Sequence, residues 1–319
     1  MRKPKFKIKT KGKSYSIKDS PLYNLRTKKH LANLLNCNTQ DFSTLSKDDG
    51  NYNVFETTGK NGKKRKIHKP QPQLDKIHTR IASLLCRIDA PDYLHSGRKN
   101  RSNITNAQAH ITNHSSETAI LATDIRDFFT STHRKNVFNF FYTIMKCSTD
   151  VADILAKLST IHEHVPTGSR ISMPIAFWAN YHMFEELHAL SSKYNVCMTV
   201  YVDDLTFSGN NVNPLFRTVV EKIVSRYGHK IHPTKTKLYA KAAPKLVTGV
   251  IVKNQSLQVR NEQFKQLVTD FTCWKAIRNT PQAIFDPHTY RLLGRLHSMG
   301  SIEPVFREKA RTVKGATNR

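Results

Sequence analysis

Two adjacent carboxylates, Asp203 and Asp204, stand in the segment Tyr201-Val202-Asp203-Asp204-Leu205, among β-branched and aromatic residues that favour strands. Paired acids at a tight turn repel each other and call for a compensating cation. An isolated Asp-Asp has an ordinary reading as a solvated hairpin turn. A third acid shifts the balance, because Asp124 ends a short apolar run, Ala119 to Asp124, 79 residues upstream of Asp203. Carboxylates on neighbouring strand ends can converge on hard divalent cations, which prefer oxygen ligands. Two such ions can lower the pKa of an attacking hydroxyl and stabilise a pyrophosphate leaving group.

Acids used in this way need strands to hold them and helices to back the strands. Cys197 to Val202 and Leu205 to Ser208 read as two strands flanking Asp203-Asp204. Tyr52 to Thr57, a basic glycine-containing turn over Gly59 to Lys64, and Arg65 to His68 read as a strand, a turn and a strand. Leu74, Ile77, Ile81, Leu84, Leu85 and Ile88 recur at helical spacing and predict an amphipathic helix from Leu74 to Ile88. Helical patterns also cover Thr27 to Leu35, Asn136 to Ile144, Val151 to Leu158 and Phe216 to Tyr227. Pro166-Thr167-Gly168-Ser169 breaks the chain before an apolar helix from about Ile175 to Leu190. Leu246 to Val252 reads as one strand, and the stretch from Asn261 to Lys309 as mostly helical. Hairpins mixed with helices predict an α+β fold with an antiparallel sheet.

The 319 residues suffice for two or three subdomains around a sizeable core. Lys and Arg number 51 against 24 Asp and Glu, a formal net charge of +27. Self-repulsion on that scale asks for a polyanionic partner, and nucleic acid is the obvious one. No apolar run is long enough to span a bilayer, and no basic helix with an aromatic face stands out, so a membrane is not expected as a partner. The basic stretch from Met1 to Lys13 lacks the apolar segment of a secretory signal and reads as a cationic arm. Five scattered cysteines, none in a Cys-x-x-Cys pair, argue against a disulfide framework or a zinc ribbon and for the cytoplasm.

A strand-end aspartate followed by aromatics (Asp124, then Phe128-Phe129), a Pro-x-Gly-Ser turn before a helix, and Tyr-x-Asp-Asp occur here in an order and spacing that resemble reverse transcriptases. The resemblance covers roughly residues 52–252. It implies a right-hand polymerase with fingers, a palm of antiparallel sheet plus helices, and a helical thumb. Residues 1–50 would then be a basic extension, 51–252 fingers and palm, and 253–319 a thumb or RNA-binding region. By resemblance, Asp124 and Asp203 ligate two Mg2+ ions, with Asp204 in support, and dNTPs are the substrates. Phe129 falls where the family places an aromatic gate under the incoming sugar, although either Phe128 or Phe129 reads equally as core. Thr167 and Gly168 match a loop near the incoming nucleotide, or form an ordinary turn. Arg65, within Lys63 to Pro70, matches the basic fingers hairpin over the triphosphate. Lys235, in Ile231-His232-Pro233-Thr234-Lys235, matches a lysine-bearing segment after the active-site hairpin, where it could protonate or neutralise pyrophosphate, or is a surface lysine.

Asn106-Ala107-Gln108-Ala109-His110 and Val247-Thr248-Gly249 are similar to two elements of bacterial retron enzymes. Neither element follows from chemistry that the residues dictate. His110 stands four residues before His114, a spacing that can bind zinc on a helix, but a third ligand is not evident. His110 is otherwise a structural histidine or one that positions RNA. The resemblance implies that a cognate structured non-coding RNA is both template and primer, copied from an internal guanosine 2′-OH into branched msDNA. It also implies an effector protein, a role in antiphage defence, and a separate host ribonuclease H. The RNA-binding set is then Asn106, His110, Val247, Thr248 and Gly249, with Arg291 and Arg295 beside Lys275 and Arg278 in the thumb. Trp274 either stacks on a base or fills the thumb core. Two other readings stay open: a group II intron-like or other bacterial reverse transcriptase, and an RNA–DNA scaffold that restrains a toxin.

The charge generates a first test. Affinity for RNA should fall steeply with salt, by about a thousandfold between about 50 and about 200 mM, as counterions are released from neutralised phosphates. Fluorescence anisotropy titrations across that range check it, and a flat dependence would show that the charge serves another purpose.

Overall fold

The computed structural model describes residues 6–59, 62, 64–112 and 118–317. His114, Lys63 and the first five residues of the cationic arm lie outside the described residues.

The described residues form three antiparallel sheets. A long hairpin pairs β1 (Tyr52–Thr58) with β2 (Lys64–Pro70), as the basic turn between them predicts. The central sheet has the order β4-β5-β3-β6, from β3 (Ala119–Asp124), β4 (Cys197–Tyr201), β5 (Asp204–Gly209) and β6 (Lys237–Tyr239). The third sheet is a meander of β7 (Lys245–Val247), β8 (Val250–Lys253) and β9 (Ser256–Gln258).

Register assigns each face of the central sheet. Leu121 lies opposite Phe207, and Phe207 opposite Met198, so these three share a face. That face is the apolar one, with the ring of Phe216 from the Pro214–Arg226 helix 5.5 Å from Phe207. The other face carries Ala122, Thr206 and Thr199 in one row, and Asp124, Asp204 and Tyr201 in the next. The Asn103–Thr112 helix and the small sheet close over this second face through Ala107, Ile111, Ile120, Val247, Val250 and Val252.

Local signals explain several helix starts. Pro72, Pro214 and Pro287 occupy the first turn of their helices, where a missing N–H costs nothing. Asn213 accepts from Phe216 N and Asp286 from His288 N. The Pro72–Leu85 helix buries Leu74, Ile77, Ile81, Leu84 and Leu85, the stripe seen in the sequence. The last three helices, Asn261–Ile277, Pro287–Gly300 and Val305–Thr317, have a core of their own that includes Leu267, Trp274, Leu292, Leu296 and Phe306. No helix among the described residues is long and apolar enough to cross a membrane, and all five cysteines are free.

Two expectations change, and one helix is new. Leu246 to Val252 is not one strand but the hairpin β7–β8, turning at Thr248-Gly249. The apolar helix expected from about Ile175 to Leu190 is two, Ser172–Ala179 and Tyr181–Lys193, broken at Asn180. Asn180 turns inward instead, donating to Thr132 Oγ1 at 2.9 Å and accepting from the His229 ring at 2.7 Å. The Asn103–Thr112 helix has no counterpart in the sequence reading, because Asn103-Ile104-Thr105-Asn106 offers no apolar stripe.

Buried histidines make the fold acid-labile. Burial lowers the pKa of His78, His95 and His229 to about 4, with Arg101 and Arg98 adding to the effect at His95 and His133 at His229. The unfolded chain takes up these protons near the ordinary 6.5, and the fold resists until about 4. The histidines' contribution to stability is therefore complete above about 6.5 and declines as pH falls toward 4, offset in part by Asp203 and Asp204, whose raised pKa values favour the fold as pH falls. Melting temperatures measured from about pH 8 to about pH 4 should drop on the acid side of about 6.5, and a flat profile down to about pH 5 would contradict this.

Candidate active site

The carboxylates meet because β3 and β5 are adjacent and antiparallel, which places Asp124 opposite Asp204. Asp203 occupies the β4–β5 turn, and its carbonyl accepts from Ile125 N at 2.8 Å, closing the turn against the end of β3. Ligand oxygens of Asp124, Asp203 and Asp204 all lie within 4.8 Å of one another, and no other group of three such residues does so among the described residues. A donor set of oxygens alone suits a hard divalent cation such as Mg2+.

The turn is strained at Val202, whose φ of +61° is rare for a β-branched residue. Its N–H donates to Ser96 Oγ at 3.0 Å, from a segment outside the sheet. Burial first, and then the charge of Asp124, raise the pKa of Asp203, which Lys235 and Arg65 partly offset. Burial, Asp203 and Asp124 push Asp204 up to about 7.

Lys235 is placed at the site rather than on a remote surface. Its Nζ donates to Asp124 Oδ2 at 2.7 Å. Burial alone would lower its pKa, but the hydrogen bond to Asp124 and the three carboxylates outweigh that and raise it. The loop that carries it is stitched to the end of β3 by His232 N donating to Asp124 O at 2.8 Å. Arg65 is exposed on β2, opposite Thr57, close enough for its charge to act on Asp203.

Of the two adjacent rings, Phe128 is core at 3 % exposure, while Phe129 is half-buried and packs against the same core. Thr167 and Gly168 tie their loop to the β1–β2 hairpin. Thr167 Oγ1 donates to Lys66 O at 2.7 Å, and a Cβ on Gly168 would come within 2.6 Å of Ile67 Cγ2 and 3.0 Å of His68 O. Gly168 thus serves a close approach of loop to β2.

The residues expected to bind RNA separate into two groups. Asn106 and Val247 are 0 % exposed and His110 is 4 %, so these side chains present no surface to RNA. His110 bonds Ser208 Oγ on β5 through Nδ1 at 2.7 Å and Thr199 Oγ1 on β4 through Nε2 at 2.8 Å, a structural bolt. The Asn106 amide has no hydrogen-bond partner among the described residues, on either its oxygen or its nitrogen. Thr248 and Gly249 are half-buried and line a cavity of about 320 Å³ with Asp124, Asp204, Lys235 and Tyr239. Arg295 braces the C-terminal helices from within, donating to Asp270 and Gln266 at 2.5 Å each, whereas Arg291, Lys275 and Arg278 are exposed. Trp274 is core, its Nε1 donating to Thr317 Oγ1 at 3.0 Å. Sequence reasoning missed Ser96, Thr199 and Ser208, common polar residues whose partners lie far away along the chain.

Cation binding should depend on pH in a defined direction. Asp204, with a pKa of about 7, must lose its proton to become a ligand, so affinity for Mn2+ rises with pH up to about 7 and levels off above it. Calorimetry in two buffers of different ionisation enthalpy should show proton release at about pH 6.5, and Asp124→Asn should weaken binding about tenfold or more. PH-independent affinity without proton release would contradict the arrangement.

Residues 55–275 match the family described as reverse transcriptase (RNA-dependent DNA polymerase). Among curated proteins, the chain is similar to the retron Se72 reverse transcriptase of Salmonella heidelberg, 31 % identical over 217 residues that cover 64 % of this chain and 55 % of that protein. It is also similar to the retron Mx65 reverse transcriptase of Myxococcus xanthus, 27 % identical over 237 residues that cover 68 % of this chain and 54 % of that protein. The chain therefore spans about half the length of the curated relatives it matches. Among solved structures, telomerase from Candida albicans, in complex with a fragment of telomeric RNA, has a similar fold. The TM-score is 0.50 at 14 % identity, over 86 % of this chain and 56 % of that one. The order of the motifs, the three converging carboxylates and the family match agree: the chain belongs to the reverse transcriptase family, with the right-hand polymerase fold and retron reverse transcriptases among its relatives.

Proposed function

We propose that the chain is an RNA-directed DNA polymerase that copies a cognate structured RNA into branched msDNA, starting from an internal guanosine 2′-OH. The observation that carries the polymerase reading is the convergence of Asp124, Asp203 and Asp204 within 4.8 Å at the end of one strand pair. Similarity to retron reverse transcriptases over about two thirds of the chain supports the self-priming part.

In this reading, residues 51–252 are fingers and palm and 253–319 the thumb. The three aspartates hold two Mg2+ ions, which when bound activate the attacking hydroxyl and stabilise the leaving pyrophosphate. Lys235 keeps the carboxylates charged and close, and stands ready to neutralise or protonate the pyrophosphate. Arg65 reaches the triphosphate from the β1–β2 hairpin, held at its height by Thr167 and Gly168. The half-exposed ring of Phe129 lies under the incoming sugar, where it would clash with a ribose 2′-OH. Lys275, Arg278 and Arg291 grip the duplex through phosphates. The complex acts in the cytoplasm in antiphage defence beside an effector protein, and a host ribonuclease H removes template.

Asp203→Ala tests the reading. With cognate RNA, dNTPs and Mg2+, cDNA synthesis should fall about a thousandfold or more, while RNA affinity changes little, because the carboxylates hold metal rather than RNA. Wild-type levels of cDNA from the purified variant would contradict it.

A further inference from the structure

The Asn103–Thr112 helix carries one sequence motif, Asn106 to His110, and grips the other, Val247-Thr248-Gly249. Toward its C-terminus, His110 is bonded to Thr199 on β4 and Ser208 on β5, the two strands joined by the Asp203 turn. At its first residue, Asn103 Nδ2 donates to Thr248 O at 3.1 Å, and Asn103 O accepts from Thr248 Oγ1 at 2.8 Å. Between these attachments the helix rises about 1.5 Å per residue and is a rigid rod. It is a strut, with one end fixed to the catalytic hairpin and the other to the β7–β8 turn.

That turn is an unusual one. Thr248 and Gly249 form a two-residue hairpin loop between Val247 and Val250, with φ of +43° and +84°. Asn-Gly is the favoured pair for such a loop, and a β-branched residue in its first position is strained. Strain of this kind persists only where the surroundings over-determine the conformation. The two bonds to Asn103 do so, and one of them needs the threonine hydroxyl. Nothing in the β7–β8 pairing itself calls for that hydroxyl. The strained turn forms a wall of the cavity that contains Asp124 and Asp204.

We propose that Asn103 is a positioning residue. Through Thr248, the strut sets the wall against which the priming ribose rests, so self-priming from an RNA 2′-OH depends on Asn103 more than extension of an annealed DNA end does. This rests on the RNA-directed, self-priming reading given above. The asymmetry follows from how each hydroxyl is located. An annealed 3′ end is placed by base pairing with its template, whereas an internal 2′-OH of a folded RNA is placed by the protein, and small misplacements of a reacting group are costly.

Asn103→Ala and Asn103→Asp test the proposal, since neither alters a residue that lines the cavity. The Asp variant keeps the size of the side chain but turns its donor into an acceptor facing the Thr248 carbonyl. Each variant is compared with wild type for branched-product formation on cognate RNA, for kcat and KM in extending an annealed DNA primer on generic RNA, and for melting temperature. In both variants self-priming should fall about tenfold or more, while annealed-primer kcat and the KM for dNTP stay within about twofold. Equal losses in the two reactions, with or without a lower melting temperature, overturn the proposal, because the helix would then only support the fold. Wild-type self-priming by Asn103→Asp overturns it as well. The two failures are distinguishable. A wild-type protein that extends annealed primers but makes no branched product contradicts the self-priming reading and this proposal together. Normal branching by wild type and both variants contradicts only the role of Asn103.

Discussion

Three carboxylates within 4.8 Å of one another, in a cleft partly removed from water, repel strongly, and the neighbouring structure is arranged around containing that repulsion. At an effective dielectric constant near 20, each ionised pair at such a separation is opposed by about 3 kcal/mol. Burial adds to the penalty, which is why Asp203 and Asp204 are both raised, Asp204 to about 7. Lys235 answers part of it at 2.7 Å from Asp124, and Arg65 answers part from the β1–β2 hairpin. Divalent cations would relieve the remainder, so the same crowding that destabilises the cleft would favour metal binding.

Crowded charges of this kind need a stiff frame, and the frame is built from polar clasps at places where the backbone is strained. Val202 and Thr248 are β-branched residues with positive φ, one in the catalytic turn and one in the turn across the cavity. Each is held from outside its own hairpin, Val202 by Ser96 and Thr248 by Asn103. At the β1–β2 hairpin, Thr167 and Gly168 lock their loop against β2. Behind the cleft, Asn180 and Ser131 both bond His229, which ties the segment after Phe129 to the break between two helices. These contacts join residues far apart in the chain, so the geometry of the cleft depends on segments from Ser96 to Thr248.

Much of the site could be read from the sequence, because carboxylates at strand ends and a tight aspartate turn are local patterns in a fixed order. The amphipathic stripe of Leu74 to Leu85 and the caps at Asn213 and Asp286 are local as well. The sequence was silent where tertiary partners override local preference. Thr248-Gly249 lacks the Asn-Gly signature of a two-residue turn, so β7 and β8 looked like one strand. Asn180 sat within an apolar run and looked helical until its amide found Thr132 and His229. His110 and Arg295 belong to types that often meet nucleic acid. Only their partners, Thr199 and Ser208 for one and Asp270 for the other, identify them as internal braces.

The most direct measurement is to sequence the nucleic acid that copurifies with the protein from its native host, with and without debranching of 2′–5′ linkages. A single RNA species joined through an internal guanosine to a DNA copy of its own sequence is the predicted result. Heterogeneous RNA fragments with no attached DNA would contradict it.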